Sequence, residues 1–307
     1  MANFIKINNK INKFNKNILI DGDKSLSIRW ALLSSQSQKK CKSSNLLLSE
    51  DVMSTLDCLK KLGVKVKVSK NFCEITGLGL NGYKYNKNLT LNAGNSGTLG
   101  RLLLGLLVHS KKKIILKGDK SLSRRDFLRV TKPLGKFGAK FNTTYGKLPI
   151  KIQGTNYSKP INYYEDRGSA QCKSAVMLAA LNTLGETKIK AKKSRDHSEL
   201  LFQYLKLPIK VHKTRKYDVI RIKGKHKIPA LNYKIPSDIS SAAFFIVLTA
   251  LSKNSKLKIK NVNINPSRLG LLYILKLMGV KVTKLNTRSY KGEKISDLII
   301  KSANKIK

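Results

Sequence analysis

At 307 residues with 41% hydrophobic side chains the chain can fill two cores, and no apolar run reaches the length of a membrane span. Its 62 Lys and Arg against 17 Asp and Glu give a formal charge of +45. The cations are spread along the whole chain and aromatic residues make up only 7%, so we read a solvated lysine background that attracts small polyanions and expect no nucleic-acid or membrane partner.

The opening MANFIKINNKINKF is basic but lacks the apolar core and small-residue cleavage site of a signal peptide, so a cytoplasmic protein is expected. Cys41, Cys58, Cys73 and Cys172 fall singly, away from the four histidines, and indicate neither a zinc site nor a disulfide framework.

Four times a Gly/Ser/Thr-rich polar stretch runs into an apolar helix-like segment, at 22–35, 92–108, 168–184 and 237–251. Ser25, Ser96, Ser169 and Ser240 within them recur at a nearly constant spacing, which marks a long internal repeat. Between the apolar runs lie amphipathic stretches that end alike: KLGVKVKV around Gly63, KFGAKFNTT around Gly138, YLKLPIKVHK around Leu207 and LMGVKVTKL around Gly279. Each reads as a helix, a glycine C-cap and an alternating strand, although the third copy lacks the glycine. The unit is β-α-β-α-β-β in about 70 residues, and the chain holds about four of them.

Helix N-termini with free backbone N–H groups attract anions, and several of these are trailed by Lys or Arg. In DGDKSLSIRWALL, a helix beginning near Ser25 puts Arg29 one turn on along the same face, with Lys24 projecting from the loop. LNAGNSGTLGRLLLGLL supplies Asn95, Ser96, Gly97, Thr98 and Arg101 ahead of a body too uniformly apolar for a surface helix. GDKSLSRRDFLRV repeats the GDKSLS wording and adds Arg124 and Arg125, of which at most one can point inward. DRGSAQCKSAVMLAAL holds Ser169, Ala170, Gln171 and Lys173; in KKSRDHSELL, Asp196 or Ser194 can cap a helix while Arg195 stays free for a phosphate and His197 reads as a structural hydrogen-bonder.

Six of these phrases, in order, resemble the 5-enolpyruvylshikimate-3-phosphate synthase family: GDKSLSIR, NAGNSGT, GDKSLSRR, GSAQCKSA, SRDHSE and PSDISSAAFF. The resemblance implies an α/β fold, a two-domain inverse α/β barrel of βαβαββ units with about four of six repeats present. On that map residues 22–236 form a complete three-repeat domain, and 1–21 plus 237–307 hold the first strand and first repeat of a second. One repeat cannot close a core, so SAAFFIVLTAL is expected to be partly exposed and the chain prone to aggregate.

The implied reaction moves the enolpyruvyl group of phosphoenolpyruvate to the 5-hydroxyl of shikimate 3-phosphate and releases phosphate, with no cofactor and no metal. By the same resemblance Lys24 touches both substrates and assists proton transfer. Lys24, Ser25, Arg29, Ser169, Ala170, Gln171 and Arg195 bind shikimate 3-phosphate, with Arg29 facing the ring carboxylate. Lys24, Asn95, Ser96, Gly97, Thr98, Arg125 and Gln171 bind phosphoenolpyruvate, and Gly97 leaves room for glyphosate as a competitor. Asp126 follows Arg125 where the family has proline. The family's catalytic aspartate and a Lys-Glu pair lie in a segment that has no counterpart here; Asp238, Asp297 and residues 291–293 do not fit them. The sequence therefore reads as C-terminally truncated and impaired on its own, the full-length protein being a monomer. The alternative is a non-catalytic shikimate 3-phosphate-binding remnant.

Overall fold

Asp23 and Asp119 occupy matching places in the two GDKSLS phrases and act alike. Oδ1 of each accepts the backbone N–H three residues on, from Leu26 at 3.0 Å and Leu122 at 2.7 Å, and starts a helix. The computed structural model describes residue 11 and residues 13–303. The described chain opens with β1 (Asn15–Ile18) and continues through α1 (Lys24–Ser35), β2 (Lys40–Ser44), α2 (Glu50–Lys61), β3 (Lys65–Ser69) and β4 (Phe72–Thr76). A second set is β5 (Leu89–Asn92), α3 (Gly97–Leu107), β6 (Ile114–Lys117), the short α4 (Lys120–Ser123), α5 (Leu128–Gly135), β7 (Lys140–Thr144) and β8 (Lys147–Gln153). A third is β9 (Asn162–Glu165), α6 (Ala170–Leu181), β10 (Glu186–Lys192), α7 (His197–Tyr204), β11 (Ile209–Lys213) and β12 (Tyr217–Lys223). The two-residue β13 (Tyr233–Lys234) precedes α8 (Ile239–Leu251), β14 (Lys256–Asn263), α9 (Gly270–Leu277), β15 (Val282–Tyr290) and β16 (Glu293–Lys301).

These strands form four four-stranded sheets with one order: β13-β2-β4-β3, β5-β6-β8-β7, β9-β10-β12-β11 and β1-β14-β16-β15. In each, the first two strands run parallel and the second pairs antiparallel with the third in that order. The α/β architecture of repeated βαβαββ units is thus present four times. The sheet holding β2 takes its first strand, β13, from beyond the end of the third set, with Tyr233 opposite Ser43 and Lys234 opposite Ser44.

The chain divides into two compact units. The larger is Gly22–Ile235 with Lys291–Glu293; the smaller is built from the chain before Gly22, Pro236–Tyr290 and the chain from Lys294 on. Two details differ from the boundaries expected from the sequence: Pro236 belongs to the smaller unit, and residues 291–293 group with the larger.

In the larger unit α1 and α3 are buried along nearly their whole length and α6 from Cys172 onward, which explains why they read as apolar all round instead of amphipathic. The sheets alternate: Leu148, Ile150 and Ile152 of β8 face the core, with Lys147, Lys151 and Gln153 outward. α3 and α6 approach so closely at Gly105 that a Cβ there would lie 2.1 Å from the Ala175 carbonyl oxygen. Gly63, Gly138 and Gly279 take the left-handed conformation that ends a helix, with φ of 85°, 109° and 83°. Lys206 adopts it in the third copy at φ 53°, so the turn persists where the glycine is missing.

In the smaller unit, Ile239, Ala242, Ile246 and Ala250 of α8 pack against Leu257, Ile259, Leu298 and Ile300 of the sheet. The opposite faces of α8 and α9 stay in solvent, with Phe244 79%, Leu251 68% and Tyr273 63% exposed. Asp238 caps α8 by accepting from Ser240 N at 2.7 Å and pairs with Arg268 at 2.9 Å. Asp297 accepts from Asn261 N at 3.0 Å and Asn286 Nδ2 at 3.1 Å and pairs with Lys258 at 3.1 Å; both carboxylates serve the structure of this unit.

Candidate anion site on the larger unit

Three of the repeats' buried helices begin at phrases singled out in the sequence, and each start leaves first-turn N–H groups without an intrahelical partner. Ser96 Oγ accepts from Leu99 N at 3.2 Å and Ser169 Oγ from Cys172 N at 3.3 Å, so both expected ligand serines are helix N-caps. α1 differs from the expectation: Asp23 is its cap, and the helix begins at Lys24. Lys24 is therefore a helical residue and not a loop residue, and its Nζ pairs with Asp51 Oδ2 of α2 at 2.8 Å.

The starts of α3 and α6 are joined. Arg101 Nη1 donates to Gln171 Oε1 at 2.8 Å, and Gln171 Nε2 donates to Thr98 Oγ1 at 3.0 Å. Arg101 Nη2 also reaches the Asp126 carbonyl at 3.3 Å, and the guanidinium lies 5.1 Å from the centroid of the Phe127 ring. Arg125 Nη2 donates to Asn95 Oδ1 at 3.1 Å; Arg124 and Arg125 are both exposed. The tips of Arg101 and Arg125 converge on Gly97, where a Cβ would stand 2.9 Å from Arg101 Nη1 and 3.0 Å from Arg125 Nη1. The carboxylate of Asp126 accepts from the N–H of Leu128, the first residue of α5, at 2.7 Å. The loop before α6 is clamped by Glu165, which accepts from Ser169 N at 2.7 Å and Arg167 N at 3.3 Å.

Arg29 is buried one turn into α1. Its Nη1 donates to the Ser25 carbonyl at 3.1 Å, Nε to Ser198 Oγ at 2.9 Å and Nη2 to Ser174 Oγ at 3.2 Å. Burial lowers its pKa to about 10; Glu199, Asp23 and Glu293 oppose that shift, and Arg195 is near enough to add to it. Arg195 itself is exposed in the turn before α7.

One expectation for that turn, a capping side chain, is corrected. Asp196 occupies the cap position of α7 without a side-chain cap bond, because its carboxylate pairs with Lys213 Nζ at 3.0 Å. His197 is fully buried, with Nδ1 2.6 Å from Glu293 Oε1. Behind Arg29 lies a buried ion pair, Lys173 Nζ to Glu199 Oε1 at 2.5 Å; burial raises the Glu199 carboxyl above the ordinary range, with Lys173 opposing.

In the sequence Arg101 stood out only as part of its phrase, without a ligand of its own, and Glu165, Ser174 and Ser198 did not stand out at all. Their partners are fixed by tertiary contacts, save for Glu165, whose caps lie two and four residues on. Among the described residues no three His, Cys, Asp or Glu side chains gather as a metal site, and no helix is long and apolar enough to cross a membrane. All four cysteines are buried, and burial pushes the thiols of Cys58 and Cys73 up to about 12.

Residues 8–305 match the family model described as EPSP synthase (3-phosphoshikimate 1-carboxyvinyltransferase). The chain belongs to the EPSP synthase family. It is 39% identical over 295 residues to the 3-phosphoshikimate 1-carboxyvinyltransferase of Petrotoga mobilis, covering 94% of this chain and 67% of that protein. It is 41% identical over 297 residues to that of Vesicomyosocius okutanii, covering 96% and 67%. The EPSP synthase structure from Acinetobacter baumannii superposes with a TM-score of 0.87 at 36% identity, covering 96% of this chain and 66% of that one. The chain thus spans about two thirds of the length of these EPSP synthase relatives. The phrases that carry the resemblance include the starts of α1, α3 and α6.

Proposed function

We propose that this chain works in the transfer of the enolpyruvyl group from phosphoenolpyruvate to the 5-hydroxyl of shikimate 3-phosphate, with release of inorganic phosphate, in the cytoplasm. The observation that carries the reading is the joined start of α3 and α6, where two arginine tips converge on Gly97 beside first-turn N–H groups. Both substrates carry phosphate and carboxylate, and such an end offers fixed donors to each.

In this reading Asn95, Ser96, Gly97, Thr98 and Arg125 hold phosphoenolpyruvate, with Gln171 between the substrates. Ser25, Arg29, Ser169, Ala170, Gln171 and Arg195 hold shikimate 3-phosphate. The capping serines act mainly by fixing backbone N–H groups toward the anions. Lys24 contacts both substrates and assists proton transfer, exchanging Asp51 for substrate oxygens. Positioning and charge stabilisation supply the rate enhancement these residues give. The full-length protein is taken to be a monomer.

Phosphate release measured with both substrates, and with each omitted in turn, tests this. Release that requires both supports the transferase reading, even if slow. Saturable binding of shikimate 3-phosphate with no release at all moves the assignment to a non-catalytic binding protein.

A further inference from the structure

We propose that Ser198 is a positioning residue which, with Ser174, sets the direction of the Arg29 guanidinium and so the affinity for the carboxylate of the phosphorylated substrate. The proposal rests on the assignment of Arg29 to shikimate 3-phosphate. A guanidinium has five N–H donors in a rigid plane, and the Nε bond fixes rotation of that plane. Here Nε goes to Ser198 at 2.9 Å and Nη2 to Ser174 at 3.2 Å, while the two serine oxygens are 2.7 Å apart. The hydroxyl pair stands where the two oxygens of a carboxylate would sit against this side of the fork. Nη1 spends one hydrogen on the Ser25 carbonyl. One hydrogen on Nη1 and one on Nη2 are left, the end of the fork, for an anion.

The choice of hydroxyls has a consequence for charge. A carboxylate at this place would satisfy the same donors and neutralise Arg29; two serines satisfy them and leave the positive charge for the ligand. The nearest acid on the same helix, Glu199, is drawn to Lys173 at 2.5 Å. Ser198 on α7 and Ser174 on α6 are 3% and 1% exposed, so water cannot replace either hydroxyl without repacking.

Titration calorimetry with shikimate 3-phosphate on the whole chain, together with thermal unfolding, tests the idea. Ser198→Ala should weaken binding about tenfold, the loss of one hydrogen bond to a charged group. Ser174→Ala should act in the same direction, and Ser198→Thr, which keeps the hydroxyl, should bind like the parent. In an Arg29→Lys background, which has no Nε fork, Ser198→Ala should have no further effect on affinity. A lowered melting temperature with unchanged affinity, or the same loss in the Arg29→Lys background, would make Ser198 merely structural and overturn the proposal. If the parent chain shows no saturable binding, the ligand assignment itself fails, and the proposal with it.

Discussion

Arg101 on α3 donates from Nη1 to Oε1 of Gln171 on α6 at 2.8 Å, and Gln171 returns Nε2 to Thr98 on α3 at 3.0 Å. The amide is held from both ends, so its orientation is not a free choice. Burial lowers the Arg101 pKa from its ordinary value, yet the group stays cationic at neutral pH beside Gly97. Arg101→Leu removes the tie and one of the two cations there. It should weaken phosphoenolpyruvate binding about tenfold or more and cost about 1–3 kcal/mol of stability, measured by calorimetry and urea unfolding. Unchanged phosphoenolpyruvate affinity would place the residue outside the site.

Gly105 is a packing glycine, because the Ala175 carbonyl oxygen fills the space a Cβ would need. Gly105→Ala forces two backbones apart, which no side-chain rotation can relieve. A loss of about 2–3 kcal/mol in urea unfolding is expected. Gly135→Ala, where a Cβ would meet nothing within 4 Å, serves as the control and should not destabilise.

The Lys173 and Glu199 side chains are 0% and 2% exposed, so neither can keep its charge alone. Lys173→Met or Glu199→Leu singly should destabilise by about 3–5 kcal/mol, and the double replacement should recover most of that. Denaturant midpoints of the three variants check this. Additive losses would show that the pair is not coupled.

Burial holds the His109 pKa down to about 4, from 6.5 in the unfolded chain. Its Nε2 lies 3.2 Å from the Ala179 carbonyl, so the neutral ring donates there, and a second proton would be buried. Between these two values the unfolded state binds more protons. The contribution is therefore complete above pH 6.5 and is lost as pH falls, amounting to about 3 kcal/mol by pH 4. His109→Gln should flatten the stability curve between pH 6.5 and 4; Thr183 Oγ1, already 3.0 Å from the Ala179 carbonyl, keeps that oxygen satisfied. An unchanged slope would assign the acid sensitivity to other groups.

The repeat was legible because evenly spaced serines and recurrent glycine caps encode local structure. The uniformly apolar body of α3 announced burial. β13 was not legible: two residues cannot display an alternation, and its partner β2 lies back in the first repeat. Local pattern also failed at α1, where capping by Asp23 draws Lys24 out of the loop and into the helix, and at Lys206, which takes a glycine's conformation. Within the site the candidate residues were visible as motifs. Their couplings were not, since Arg29 meets Ser198 across 169 residues and Arg101 meets Gln171 across 70.

If the larger unit holds shikimate 3-phosphate through Arg29, that residue should dominate the affinity. Titration of the chain with shikimate 3-phosphate, repeated on Arg29→Met, tests it most directly. Saturable one-to-one binding is expected, weakening at least tenfold in the variant and tightening when phosphoenolpyruvate is present. Binding that is absent, or that survives the loss of Arg29 unchanged, would contradict it.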